Sequence, residues 1–198
     1  MQTIVAFKTD GKITLVSNSN LSTDNYLISS NAKNIQVCEN GIVLVADGTV
    51  KEINVLDEIA YCLDEPLNEL TKDYIIDNIL PVIHNVLEEN GLIEFTPKGS
   101  LDIMFSLIVA YQDKLFYINN MFDILEVSDY ITLGQYQGPV FVKMDYINDQ
   151  KIMLERTLQV MDELKGICYH LDDYVFIVDT LDLIITKESV KDAFSNQR

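Results

Sequence analysis

Few residues of this chain carry reactive chemistry of their own. Cysteines stand at Cys38, Cys62 and Cys168, and histidines at His84 and His170. A reactive thiolate needs an electropositive neighbourhood, and a structural zinc site needs closely spaced sulfur and nitrogen ligands. No CxxC pair and no His-rich run occurs, so neither a metal nor another cofactor is expected. An odd number of widely spaced cysteines points to free, mostly buried thiols in a reducing, cytoplasmic setting. Cys38 falls in a strand-like run and Cys62 on an apolar helix face, both places for small buried hydrophobes. His84 reads as a satisfied polar residue on a helix. His170, after Tyr169, reads as an exposed loop residue.

The chain has 198 residues and is 48% hydrophobic, enough to bury one sizeable core. No repeat, linker or low-complexity tract divides it, so residues 1–198 read as a single domain, with a polar, frayed tail from about residue 187. No run of about 18 apolar residues suggests a membrane span. The opening Met1-Gln2-Thr3-Ile4-Val5 has no basic region of the kind that starts a signal peptide. The formal net charge of −17 repels nucleic acid and anionic membranes, so neither is an expected partner.

Residues 3–8 and 13–17 are β-rich runs around Asp10-Gly11, a tight-hairpin signal. Residues 34–38 and 42–46 flank Asn40-Gly41 in the same way. Helical periodicity then takes over at residues 50–63 and again at 72–89, with Pro81 expected to kink the second helix and Asn90-Gly91 to stop it. Strands are expected at 103–111, 115–118, 124–127 and 130–133. Residues 134–139 read as a loop, and 150–165 as a helix ended by Gly166. Residues 140–147 are ambiguous: β-branched and aromatic side chains favour a strand, position in the chain favours a helix. Residues 174–178 and 181–186 make a closing hairpin. Strand runs alternating with helix pairs favour an α+β, four-layer αββα sandwich: two antiparallel sheets face to face, with a helix pair outside each.

This order resembles the proteasome β-subunits and the bacterial HslV peptidase, members of the N-terminal-nucleophile hydrolase fold. The resemblance is carried by residues 2–12, by Asn31-Ala32-Lys33-Asn34-Ile35, by Ala46-Asp47-Gly48-Thr49, by residues 134–139 and by the last hairpin. It covers Gln2 to about Thr186. It implies a subunit that assembles with copies of itself, in rings by the family's habit; the sequence names no ATPase partner. It also implies a chemistry in which an N-terminal threonine hydroxyl attacks an amide and its own α-amine takes the proton. A lysine poises that amine, an aspartate holds the lysine, and backbone N–H groups of a Gly turn form the oxyanion hole.

Matched to that pattern, the nucleophile position is Gln2, the aspartate position Asn18 and the lysine position Asn34. An amide is neither a nucleophile nor a cation, so all three reactive groups are replaced. The turn with Gly48 remains. A register one residue different puts Lys33 in the lysine position. Gln2 is too large for usual removal of Met1, which leaves the free amine one residue from where it is needed. Removal of Met1-Gln2 makes Thr3 the nucleophile instead, though strand alternation points its side chain away from the face of residue 2. Asp172 and Asp173 are a candidate cation pair by the same resemblance, against a plain solvated turn. Three readings follow: an inactive proteasome-like protein with an assembly or binding role, a threonine-type peptidase or amidase activated by processing, and a small-molecule binder using the old cleft.

Overall fold

The computed structural model describes residues 3–18, 21–23, 26–28, 33–95, 101–102, 105–134, 137–144, 152–165 and 174–190. Its first hairpin joins β1 (Thr3–Thr9) to β2 (Lys12–Asn18). Asp10 and Gly11 both have positive φ, 45° and 81°, as a two-residue turn matched to strand twist requires. A short hairpin of β3 (Leu21–Thr23) and β4 (Tyr26–Ile28) follows. Next come β5 (Ile35–Val37) and β6 (Val43–Asp47). The first helical layer holds α1 (Val50–Ile53), α2 (Leu56–Tyr61), α3 (Lys72–Tyr74) and α4 (Leu80–Glu89), with a π-helical stretch at Ile75–Ile79 before α4. Then come β7 (Glu94–Phe95), β8 (Leu101–Asp102), β9 (Ser106–Tyr111), β10 (Lys114–Ile118), β11 (Ile124–Glu126) and β12 (Tyr130–Gly134). The second helical layer is α5 (Gln137–Met144) and α6 (Met153–Lys165), and β13 (Tyr174–Asp179) and β14 (Thr186–Ser189) close the chain.

Two antiparallel five-stranded sheets form the centre. Their strand orders are β12-β1-β2-β13-β14 and β11-β10-β9-β6-β5. Side-chain alternation along each strand sorts the core into three. Ile4, Ala6, Ile13 and Leu15 of the first sheet meet Val43, Val45, Ile108 and Ala110 of the second between the sheets. Val5, Phe7 and Val16 turn outward under α5 and α6. Leu44, Ala46, Leu107 and Val109 turn outward under α1 to α4. The result is the four-layer αββα arrangement, and the central strands β1, β2, β6 and β9 are buried on both faces. That is why the strands read as near-continuous apolar runs.

Several elements depart from the sequence expectation. The 50–63 helix is two short helices, because Val55 sits at φ −89° and ψ −1° between them. Pro81 lies within the first turn of α4, and its missing N–H is accommodated just upstream, where the Leu80 N–H bonds back five residues to Ile75 O. The ambiguous 140–147 segment is helical to Met144; the helix starts at Gln137, inside the expected 134–139 loop, with Pro139 in its first turn, where no intrahelical donor is needed. The second strand of the last hairpin begins at Thr186, not Leu181. Asp179 Oδ1 accepts the N–H groups of Leu181 and Asp182, at 2.9 and 2.8 Å, and Leu183 takes φ +56°, so residues 180–185 form a turn. Residues 187–189, expected in the tail, therefore pair with β13, and Val190 is buried. Ile103 and Met104 lie outside the described residues, and the strand after them starts at Ser106. The two small hairpins were not anticipated, although Asp24-Asn25 is the kind of dipeptide that makes a tight turn.

Candidate functional site

The site lies at one end of the sandwich, where β1 begins and β2 and β6 end. The β1–β2 register sets its geometry. Ile4 pairs with Ser17, so Thr3 falls beside Asn18. Ser17 has the parity of Ile13 and Leu15 and belongs to the inter-sheet face. Asn18 has the parity of Val16, whose side chain lies under the second helix pair.

Asn34 stands just before β5 and is fully buried. Its Nδ2 donates to Ser17 Oγ at 2.8 Å and to Ala46 O at 3.3 Å. Its own carbonyl accepts the Ala46 N–H at 2.9 Å. Ser17 Oγ in turn donates to Asn18 O at 3.3 Å, and Asn18 Oδ1 accepts the Thr3 N–H at 2.5 Å. Thr3, Ser17, Asn18 and Asn34 are all buried, so the chain of bonds ties the ends of β1 and β2 to β6 through neutral groups alone. Each such bond contributes roughly 1 kcal/mol net, and losing one partner leaves a buried polar atom at greater cost.

Asp47 ends β6 opposite Ser106. It has the parity of Val43 and Val45, so its carboxylate belongs to the inter-sheet face. It is half-buried, as are Gly48 and Ser106. Burial raises the Asp47 pKa above the usual carboxylate range. The positive charge of the amino terminus and the Gly48 N–H act to lower it, and Glu52 to raise it. Glu52 itself is buried on α1 and closes a capping box, its Oε2 accepting the Thr49 N–H at 2.8 Å.

Of the sequence-predicted positions, Gln2 lies outside the described residues, as do Cys168, His170, Asp172 and Asp173. Asn18 and Asn34 are brought to the same end of the sandwich but are joined through Ser17, not to each other. Lys33 is exposed while Asn34 is the buried residue at this point. The Thr3 side chain shares parity with Val5 and Phe7, away from the inter-sheet face, and its Oγ1 has no hydrogen-bond partner among the described residues. Cys38 is buried, and its thiol is pushed up to about 12 by that burial, so it is inert. Cys62, expected to be buried, is exposed, because α2 ends at Tyr61 and Cys62 follows on its solvent side. His84 is half-exposed on α4, its Nδ1 3.8 Å from Glu88 Oε2. Among the described residues no group of three His, Cys, Asp or Glu is placed to hold a metal ion, and no helix is long and apolar enough to cross a membrane.

Ser17 and Asp47 are the residues that motif matching missed. The signal for Ser17 was available: once the Asp10-Gly11 turn fixes the register, odd-numbered residues of β2 face the other sheet. Asp47 was quoted only as part of a Gly turn, without its charge.

Two antiparallel five-stranded sheets between helix layers make the proteasome-type fold seen in N-terminal-nucleophile hydrolases. No family model and no curated protein sequence matches the chain. Solved structures do. BPH of Thiobacillus denitrificans, solved in complex with epoxomicin, is similar with a TM-score of 0.69 at 16% identity, over 89% of this chain and 97% of that one. Anbu of Pseudomonas aeruginosa, described as a helical assembly, gives 0.70 at 14% identity, over 100% and 90%. HslV of Trypanosoma brucei gives 0.61 at 10% identity, over 89% and 98%. At these identities the likeness establishes the fold.

Proposed function

We propose that this chain is a catalytically inactive proteasome-like protein with an assembly or binding role. The observation that carries this reading is the buried, neutral Asn34 amide, bonded to Ser17 Oγ and Ala46 O where the resemblance calls for a lysine cation. A neutral amide cannot hold an α-amine in its basic form by charge, nor stabilise an oxyanion as an ammonium does. Asp47 works in the same direction. Its carboxylate interacts with the Gly48 N–H of the turn that would form the oxyanion hole, and its negative charge opposes an oxyanion there. Catalytic groups of this kind act as a unit, so their joint replacement removes the reaction.

Generic fluorogenic peptides should not be turned over by the untagged full chain. Turnover that survives Gln2→Ala but disappears when the N-terminal amine is blocked would overturn the reading. An intact mass lacking Met1-Gln2 would favour the processed threonine peptidase or amidase instead. The helical assembly described for Anbu of Pseudomonas aeruginosa supports self-association of this chain too. Sedimentation at micromolar concentration should show an oligomer, and monomer alone counts against the assembly role.

A further inference from the structure

We propose that the first helical layer carries a docking surface for a basic segment of a partner protein, anchored by one lysine or arginine side chain in a cavity between α2 and the π-helical stretch. This surface is separate from the Asn34 cluster and holds whether or not the chain is catalytic. The cavity measures about 230 Å³. One wall is the chain that follows α2, with Cys62, Asp64, Glu65 and the buried Leu63. The other is Tyr74, Asp77 and Asn78, whose spacing puts them on one helix face. That wall runs from the end of α3 into the π-helical stretch, a kind of turn frequent at functional sites. Both walls are tied down: Asn78 Nδ2 donates to Tyr74 O at 3.2 Å, and Asn40 Nδ2 donates to Glu65 O at 3.1 Å.

The occupant follows from charge, size and exposure. Residues 50–91 hold ten carboxylates against two lysines, Lys51 and Lys72, whereas α5 and α6 together hold three carboxylates and three cations. The acidic excess of the helices therefore sits in the first layer. The ion pairs among the described residues are Lys12–Asp179, His84–Glu88 and Lys114–Glu126, so none engages Asp64, Glu65 or Asp77, all three of which are exposed. A lone exposed ion pair is weak, but a cleft lined by charges of one sign concentrates its field on one counter-ion. The Tyr74 ring suits contact with the same cation. Burial, then the Glu65 carboxylate and Cys38, raise the Tyr74 pKa, so the ring stays neutral. The cavity is smaller than the ~300–1,000 Å³ of small-molecule pockets and fits one side chain. Exposed apolar residues adjoin it in the chain: Tyr61, 83% exposed, precedes Cys62, and Ile76, 45% exposed, precedes Asp77. A free amine leaves these groups in water, whereas a segment with apolar residues beside its cation covers them. A second copy of this chain, with a net charge of −17, brings the wrong sign to this face.

The test is fluorescence anisotropy with the full chain and a short labelled peptide alternating lysine and leucine. A glutamate–leucine peptide is the control of opposite sign. Saturable binding of the basic peptide alone is expected. Asp64→Asn/Glu65→Gln/Asp77→Asn should weaken it about tenfold or more, and Tyr61→Ser about threefold. Asp10→Asn/Asp113→Asn/Asp182→Asn removes the same charge from exposed turns elsewhere and should bind like the parent. Bound peptide should also slow labelling of Cys62, which is exposed and lines the cavity. Equal losses in the two triple variants, unchanged Cys62 labelling or no saturable binding each overturns the proposal. Lysine amide that matches the peptide in affinity marks a small-amine site instead, and altered sedimentation of the first triple variant marks a contact between copies; either result overturns it too. Binding is read without turnover, so peptidase activity would refute inactivity and leave this comparison intact.

Discussion

Replacing Asn34 by alanine tests whether the neutral cluster at the end of the sandwich is a structural tie. The substitution removes two donor bonds from a fully buried amide, one at 2.8 Å to Ser17 Oγ and one at 3.3 Å to Ala46 O. The shorter bond contributes about 1 kcal/mol and the longer about half of that. The void left by the side chain adds about 1 kcal/mol, since the surrounding sheets relax only in part. The sum is a destabilisation of about 2–3 kcal/mol. For a domain of this size, that lowers Tm by about 5–10 °C. Urea unfolding of the parent, Asn34→Ala, Ser17→Ala and the double variant gives the coupling directly. A coupling near ~1 kcal/mol is expected, because the two side chains share one bond. If Asn34→Ala costs less than about 0.5 kcal/mol, or if the two effects simply add, Asn34 does not tie β2 to β6 and the account of the site fails.

Asp47→Asn should stabilise the fold at pH 7. Burial raises the folded pKa of Asp47 above its unfolded value, so its contribution is complete below about pH 4 and is lost as pH rises through the folded value. Urea midpoints of parent and variant should therefore separate at pH 7 and converge near pH 3; separation only at low pH would contradict the sign. Asp179 behaves in the opposite way. Burial alone would raise its pKa, but the Lys12 ammonium at 2.6 Å and the N–H groups of Asp182 and Leu181 outweigh this and hold it below the usual range. Its contribution is present above about pH 4 and is lost as pH falls through the folded value. Asp179→Asn should cost about 1 kcal/mol at pH 7, discounted for the solvent reaching Lys12, and much less at pH 2. Of the two described thiols, Cys62 should react with a disulfide reagent in the native protein and Cys38 only on unfolding. Cys62→Ser that leaves Cys38 reactive at the Cys62 rate would refute the burial of Cys38.

The sheets were readable because both of their faces are covered. Ile42 to Ala46 is apolar without alternation and Ile103 to Tyr111 is nearly so, as suits a strand between two layers, and the Asp10-Gly11 turn fixed its own hairpin through positive φ. Where two local preferences competed, the sequence could not decide. Val140 to Ile147 has β-favouring side chains, yet its described part is helical as far as Met144, because the outward face of β1 and β2 needs a helix over Val5, Phe7 and Val16. That demand is tertiary and leaves no mark in a short window. The late start of β14 has a similar cause. Leu181 to Ile185 looks like a strand, but the Asp179 carboxylate captures the two backbone donors of Leu181 and Asp182, and pairing resumes only at Thr186.

The site shows a different limit. Matching positions to a catalytic pattern chose Asn18 and Asn34 by their place in the chain. It could not say what those side chains, or their neighbours, bond to. Parity could. In β2 the residue facing the other sheet is Ser17, and its hydroxyl is the group that meets Asn34. Asn18 instead bonds the backbone of Thr3. A buried cation and carboxylate joined across two sheets would have to be exchanged together, since either one left alone is a buried unpaired charge. Neutral amides and a hydroxyl satisfy one another without that constraint, and each keeps a hydrogen bond inside a dry core. Asp47, at the same end of the sandwich, is only half-buried, so its carboxylate keeps part of its hydration as well as the Gly48 N–H.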